Sequence, residues 1–150
     1  MSNPALILDR VTKQFRQGEN RLEVLRDCNV TIYSGELVAL KGPSGSGKST
    51  LLHIAGLLER PSSGTVTIGG LEASSANDNE RTRLRRQYIG YVYQQHHLLP
   101  EFSARENIIL PQLIAQSGQQ AAEKRADELL AMVGLTARAD HRPGQLSGGE

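Results

Sequence analysis

Apolar and polar residues alternate along Ala5–Phe15 and again along Leu22–Tyr33, with the polar stretch Arg16-Gln17-Gly18-Glu19-Asn20 between them. A period of two turns one face of each segment inward, so an antiparallel strand pair joined by a turn is predicted. Ser34-Gly35 makes a second turn, after which Glu36–Lys41 (Glu-Leu-Val-Ala-Leu-Lys) reads as a short buried strand running into glycine. The period then changes. Leu51, Leu52, Ile54, Ala55 and Leu58 recur at helical spacing, which predicts a helix over Lys48–Leu58 and the order strand, loop, helix.

Downstream, Pro61-Ser62-Ser63-Gly64 closes that unit, Thr65–Ile68 reads as a further strand turned by Gly69-Gly70, and Ala73–Glu80 reads as polar loop. Ile89–Tyr93 alternates like a strand. The arginines at 81, 83, 85 and 86 ahead of it read as a solvated helix face, since no wider basic field supports the sharper reading of a nucleic-acid contact. Ser103-Ala104-Arg105-Glu106 has the form of a capping box, in which the serine oxygen and the glutamate side chain satisfy free amides at a helix start. A helix to about Gln116 should follow. A second helix fits Gln119–Val133, with Ala122, Ala126, Leu129, Leu130 and Val133 on one face and Gly134 as the stop. The two helices predict a small helical subdomain.

Composition narrows the picture in a few places. The 150 residues suit one domain, and 17 basic against 16 acidic side chains leave a net charge of +1, which gives no support to broad electrostatic binding of nucleic acid. Runs such as Leu37–Leu40 and Ile108–Leu110 fall far short of the roughly 20 apolar residues that a membrane-spanning helix needs. Met1–Leu8 lacks the basic stretch and apolar core of a secretory signal, so the chain is expected in the cytosol. Cys28 is the only cysteine; it can form no internal disulfide and is expected to be a buried strand residue.

The candidate chemistry lies in Gly42-Pro43-Ser44-Gly45-Ser46-Gly47-Lys48-Ser49, which fits G-x-x-x-x-G-K-[ST], the Walker A pattern. Glycines at 42, 45 and 47 let the backbone curl until successive amide hydrogens point at one anion. The helix beginning near Lys48 adds free amides and the positive end of its dipole. Lys48 is then expected to reach the β- and γ-phosphates of ATP, the Ser49 hydroxyl to ligate Mg²⁺, and Thr50 to add a phosphate hydrogen bond. The four fixed positions arise by accident in roughly one chain in two hundred of this length, and the flanking strand and helix pattern lowers that further.

Leu146-Ser147-Gly148-Gly149-Glu150 matches the LSGGQ or LSGGE signature, and with the Walker A loop it makes the chain resemble the ATP-binding subunit of ABC transporters. The resemblance implies an α/β P-loop NTPase (ABC ATPase) fold. An N-terminal antiparallel β subdomain with the Walker A core would span about residues 1–93, and the Q-loop and α-helical signature subdomain about 94–150. Tyr91-Val92-Tyr93-Gln94 looks like the strand into the Q-loop, which makes Gln94, rather than Gln95, the implied sensor of Mg²⁺ and the attacking water. Phe15 sits where the family places an aromatic that stacks on adenine. Gln94–Ala104 and His141-Arg142-Pro143 are most similar to the ATPase subunit of the lipoprotein-releasing (Lol-type) system; His96 and His97 read as loop contacts, because no carboxylate or cysteine accompanies them to make a metal site.

The resemblance further implies a head-to-tail dimer in which Ser147, Gly148 and Gly149 of one copy close on ATP held by Gly42–Thr50 of the other. It also implies two integral membrane subunits docked near Gln94–Leu110, and a location on the cytoplasmic face of the inner membrane. The chain ends within the signature, so the Walker B aspartate, the catalytic glutamate and the switch histidine of the family lie outside it; Asp78 and Glu80, in a polar stretch, are no substitute. A truncated chain that binds ATP, hydrolyses it poorly and folds marginally is therefore expected. The competing readings are macrolide or peptide export, the cell-division ATPase, a soluble ABC ATPase of repair or translation, a small-molecule kinase sharing only the Walker A loop, and a non-catalytic nucleotide-binding module.

Overall fold

The computed structural model of the protein describes residues 3–18 and 20–150. Met1, Ser2 and Glu19 lie outside the described residues, and the expectations for the extreme N-terminus and for the centre of the Arg16–Asn20 turn fall there. Two compact units follow one another along the chain, Met1–Tyr91 and Val92–Glu150.

In the first unit, strand β1 (Pro4–Gln17) pairs antiparallel with β2 (Asn20–Tyr33) on one edge and with β3 (Ser63–Ile68) on the other; β3 pairs in turn with β4 (Leu71–Glu72), giving the order β2-β1-β3-β4. The predicted hairpin thus forms. Its inward positions Leu8, Val11 and Leu25 join Val66 and Ile68 of β3 to build a core against Ile54, Leu57, Ala73 and Leu84. Fully burying one such aliphatic side chain is worth about 1.5–3 kcal/mol. Cys28 is only half-buried at the border of this core, not inside it as expected.

The pairing slips between Leu8 and Val11, where Arg10 and Asp27 adopt φ of 48° and 44°. Asn29 braces the bulge, accepting from Arg10 N at 2.9 Å and donating to Asp27 O at 2.8 Å. Gly64 of β3 crosses here: a Cβ would stand 2.3 Å from the Arg10 carbonyl oxygen, so no larger residue fits.

Helix α1 (Lys48–Ala55) stops three residues before the predicted Leu58, because the chain turns at Gly56 and Leu57 takes a left-handed φ of 56°. Helix α2 (Asp78–Tyr88) begins inside the stretch expected to be loop. Its N-cap Asn77 and Glu80 form a reciprocal capping box, the same N-terminal device as at Ser103 but built on asparagine. The solvated arginine face holds at the exposed Arg83 and Arg86 but needs correcting at Arg81 and Arg85. Arg81 is 4% exposed and donates to the Leu57 and Glu59 carbonyls at 2.8 and 3.2 Å, while Arg85 Nη1 donates to Leu57 O at 2.8 Å. Two guanidinium groups thus satisfy the carbonyl that the left-handed turn after α1 leaves inside.

Neither Glu36–Lys41 nor Ile89–Tyr93 forms a strand. Leu37 is 102% and Val92 96% exposed. A strand buried on both faces needs parallel neighbours to bond with, and the sheet among the described residues is the antiparallel one, whose order includes neither segment.

In the second unit, helices α3 (Ala104–Ile114) and α4 (Gln119–Met132) pack through Ile108, Ile109, Leu113, Ala122 and Ala126, while Leu130 meets Ala104 and Ala139. Ser103 and Glu106 form the predicted capping box. Ahead of it, Asn107 seals the preceding loop, donating to the carbonyls of Leu99, Phe102 and Ser103 and accepting from Leu99 N at 2.8 Å. Gly134 ends α4 at φ 75°, as its position suggested. Val133 leaves the apolar face with that turn and is 67% exposed, and Leu135 packs inward in its stead. Among the described residues no helix is long and apolar enough to cross a membrane.

Candidate functional site

Residues 42–47 run in irregular backbone from segment 36–41, which forms no regular element, to the first turn of α1. Gly45 (φ 79°) and Gly47 (φ 86°) occupy left-handed conformations in which a side chain is strained. Gly47 is crowded as well: a Cβ there would lie 2.9 Å from Leu25 Cδ2 and 3.0 Å from Val24 O, so β2 presses directly on the loop. A Cβ at Gly42 would meet Ser46 Oγ at 2.8 Å. Backbone conformation and neighbouring chain together require glycine at 47, conformation alone favours it at 45, and at 42 a side chain would displace the Ser46 hydroxyl.

Gly47 is the N-cap of α1 and offers no side-chain acceptor, and no acidic residue occupies the first turn. The amides at that terminus therefore keep their donor capacity, and the partial positive charge of the helix is uncompensated. The Lys48 ammonium folds back into the loop, donating to Pro43 O at 2.6 Å and Gly42 O at 2.9 Å. A cavity of about 250 Å³ opens on this arrangement, lined by Val24, Ser44, Gly45, Gly47, Lys48, Ser49 and Thr50. Backbone amides, one ammonium and three hydroxyl groups, with no carboxylate among them, suit a polyphosphate.

Gly42, Pro43 and Ser46 line a neighbouring cavity with Leu25, Cys28 and Leu51. Phe15 lies on β1, paired with Leu22, which is two residues along β2 from Val24. Sequence reasoning passed over Val24, and it passed over Lys13, whose ammonium stands 4.9 Å from the centre of the Phe15 ring. A signal for Lys13 was available, since the alternation through Val11-Thr12-Lys13 gives a lysine an inward position.

Gln94 and the signature residues belong to the second unit. Gln94 is exposed in a bend after Tyr93. Ser147 N donates to Glu150 Oε2 at 2.8 Å, and Glu150 N returns a bond to Ser147 O at 3.0 Å. Hydrogen bonds to the carboxylate from the Ser147 backbone and side chain, then the nearby Arg138 at 3.2 Å, hold the Glu150 carboxyl below its usual range. No neighbour stands within 4 Å of a Cβ at Gly148 or Gly149, and neither has a left-handed φ.

A family model described as ABC transporter matches residues 25–150. The lipoprotein-releasing system ATP-binding protein LolD of Paramagnetospirillum magneticum is 59% identical over the whole chain, and LolD 1 of Rhodospirillum rubrum 57%. The chain spans 66% of the length of each. Among solved structures, a dimeric post-hydrolysis state of the ATP-binding cassette MJ0796 bound to ADP and Pi matches with a TM-score of 0.90 and 42% identity, over 96% of this chain and 64% of that one. Fold and sequence agree: the chain belongs to the ABC transporter family of ATP-binding cassettes, among relatives named for the lipoprotein-releasing system.

Proposed function

We propose that this chain carries the nucleotide-binding part of an ABC transporter ATPase subunit that powers release of lipoproteins from the inner membrane. The observation that carries it is the loop at residues 42–50, where left-handed glycines, an uncapped helix start and Lys48 converge on one cavity. The relatives' names support the cargo.

In this reading the amides of Ser44–Gly47 and the α1 terminus grip the β-phosphate, and Lys48 turns from its two carbonyl partners to the β- and γ-oxygens. The Ser49 hydroxyl would hold Mg²⁺, which would supply neutralisation of phosphate charge, and Gln94 keeps the Mg²⁺- and water-sensing role that the resemblance implies. Thr50 adds a hydrogen bond, Pro43 and Ser46 shape the loop, and Phe15 stacks on the base. Ser147, Gly148 and Gly149 of a second copy close the site in trans, a role that bare backbone and a hydroxyl suit. The dimeric state named for the related cassette supports that arrangement.

Gln94–Leu110 docks two membrane subunits, and the complex sits on the cytoplasmic face. The protein couples ATP binding to hydrolysis. Asp78 and Glu80 start α2, where Glu80 accepts from Asn77 N and Asp78 pairs with Arg60, which supports leaving both out of the hydrolytic step.

Equilibrium retention of labelled ATP with magnesium tests the core of this reading. Binding that Lys48→Ala weakens strongly is expected, and retention unchanged by that substitution overturns it. Crosslinking from Gln94–Leu110 in native membranes tests the rest: recovery of integral membrane subunits that carry lipoprotein is expected, and their crosslinking to other regions alone contradicts the docking assignment.

A further inference from the structure

Lys13 is 9% exposed, an unusual position for an ammonium group on a strand. It lies two residues before Phe15 on β1, so the two side chains share a face. Its Nζ is 4.9 Å from the ring centroid and donates to Glu59 Oε1 at 2.6 Å and to Arg60 O at 2.8 Å. Glu59 and Arg60 belong to the exit segment just past the Gly56–Leu57 turn that ends α1, the helix whose first residue is Lys48. That segment is fixed independently. Arg60 Nη2 reaches Asp78 Oδ1 at 2.8 Å, Arg81 donates to Glu59 O, and Ser62 N donates to Thr12 O at 2.8 Å. Ring, ammonium, exit segment and phosphate-binding helix therefore form one connected set within the first unit.

We propose that Lys13 is a positioning residue for the purine: anchored to the exit segment of α1 through Glu59 and the Arg60 carbonyl, it backs the Phe15 ring at a set span from the phosphate loop. The proposal rests on the reading of Phe15 as the base-stacking residue. An ammonium against one face of an aromatic ring draws π density towards itself, which makes the opposite face a better platform for an electron-rich purine. A ring already held in place also loses less freedom when the base arrives. A bare triphosphate never touches the ring, so its binding is indifferent to this strut.

The test compares dissociation constants for ATP and for inorganic tripolyphosphate, both with magnesium, in the full-length protein. Phe15→Ala is expected to weaken ATP about tenfold or more. Lys13→Met is expected to weaken ATP about three- to tenfold. Tripolyphosphate should be unaffected by either, and Lys13→Met added to Phe15→Ala should cost ATP nothing further. Where Lys13→Met fails to fold, the double variant Lys13→Met/Glu59→Gln, which leaves no orphaned carboxylate, carries the same expectation. If Phe15→Ala weakens ATP selectively while the Lys13 variants leave ATP unchanged or weaken both ligands alike, Lys13 is structural only and the proposal falls, with the role of Phe15 intact. If Phe15→Ala leaves the ratio of the two constants unchanged, the stacking reading itself falls and takes the proposal with it.

Discussion

The chain contains two glycine-rich stretches with serine and a charged residue, and they use glycine for opposite reasons. In Gly42–Thr50 the backbone itself demands it, since Gly45 and Gly47 are left-handed and Gly47 is pressed by Val24 and Leu25. In Leu146–Glu150 the fold of the second unit makes no such demand at Gly148 or Gly149. The charges differ too. The first stretch presents an ammonium and uncapped amides, while the second supplies its own carboxylate, which already occupies the Ser147 amide. One loop is constrained from within; the other leaves its glycines open to whatever approaches from outside.

Substitutions can break that contrast or sharpen it. The largest effect is expected from Lys48→Ala, which removes charge-assisted bonds to the ligand and should weaken ATP by roughly a hundredfold in equilibrium binding. Gly47→Ala comes next, with a left-handed alanine and a crowded Cβ together costing about 2–3 kcal/mol in denaturant unfolding. Gly45→Ala shares the conformation but faces open space, so about 1–2 kcal/mol is expected. Gly148→Ala should change unfolding by no more than about 0.5 kcal/mol; a loss as large as that at Gly47 would erase the distinction between the loops.

The smallest effect concerns acid. The folded Glu150 carboxyl titrates below its ordinary value of 4.5, so its contribution is fully present above that value and is lost as pH falls through the lower folded one. Amide-proton NMR at Ser147 should report that loss, and Glu150→Gln should flatten the pH profile. Glu59 behaves with the same sign, held low chiefly by its bond from Lys13.

Much of this was legible where the chain satisfies its own bonds locally. The β1–β2 hairpin, the start of α1, the Ser103–Glu106 capping box and α4 follow from periodicity and cap chemistry over a few residues. The failures needed distant partners. Glu36–Lys41 and Ile89–Tyr93 carry strand patterns but have no neighbouring strand among the described residues. Arg81 looks like surface because its pattern is polar, yet its partner is a carbonyl 24 residues away that no periodicity announces. The start of α2 was missed although Asn77 and Glu80 have the same spacing as Ser103 and Glu106. Of the candidate site, the glycine loop at residues 42–50 was readable from residue types alone, whereas the ammonium beside Phe15 depends on Glu59, 46 residues downstream of Lys13.

The shared carbonyl of Leu57 bears on how this protein can be re-engineered. A solubility redesign working from hydropathy alone would choose the arginines of α2 for exchange to lysine or glutamate. At positions 81 and 85 that exchange would strip the clasp from a peptide group with no solvent to fall back on, so the two sites belong on the list of positions to leave alone.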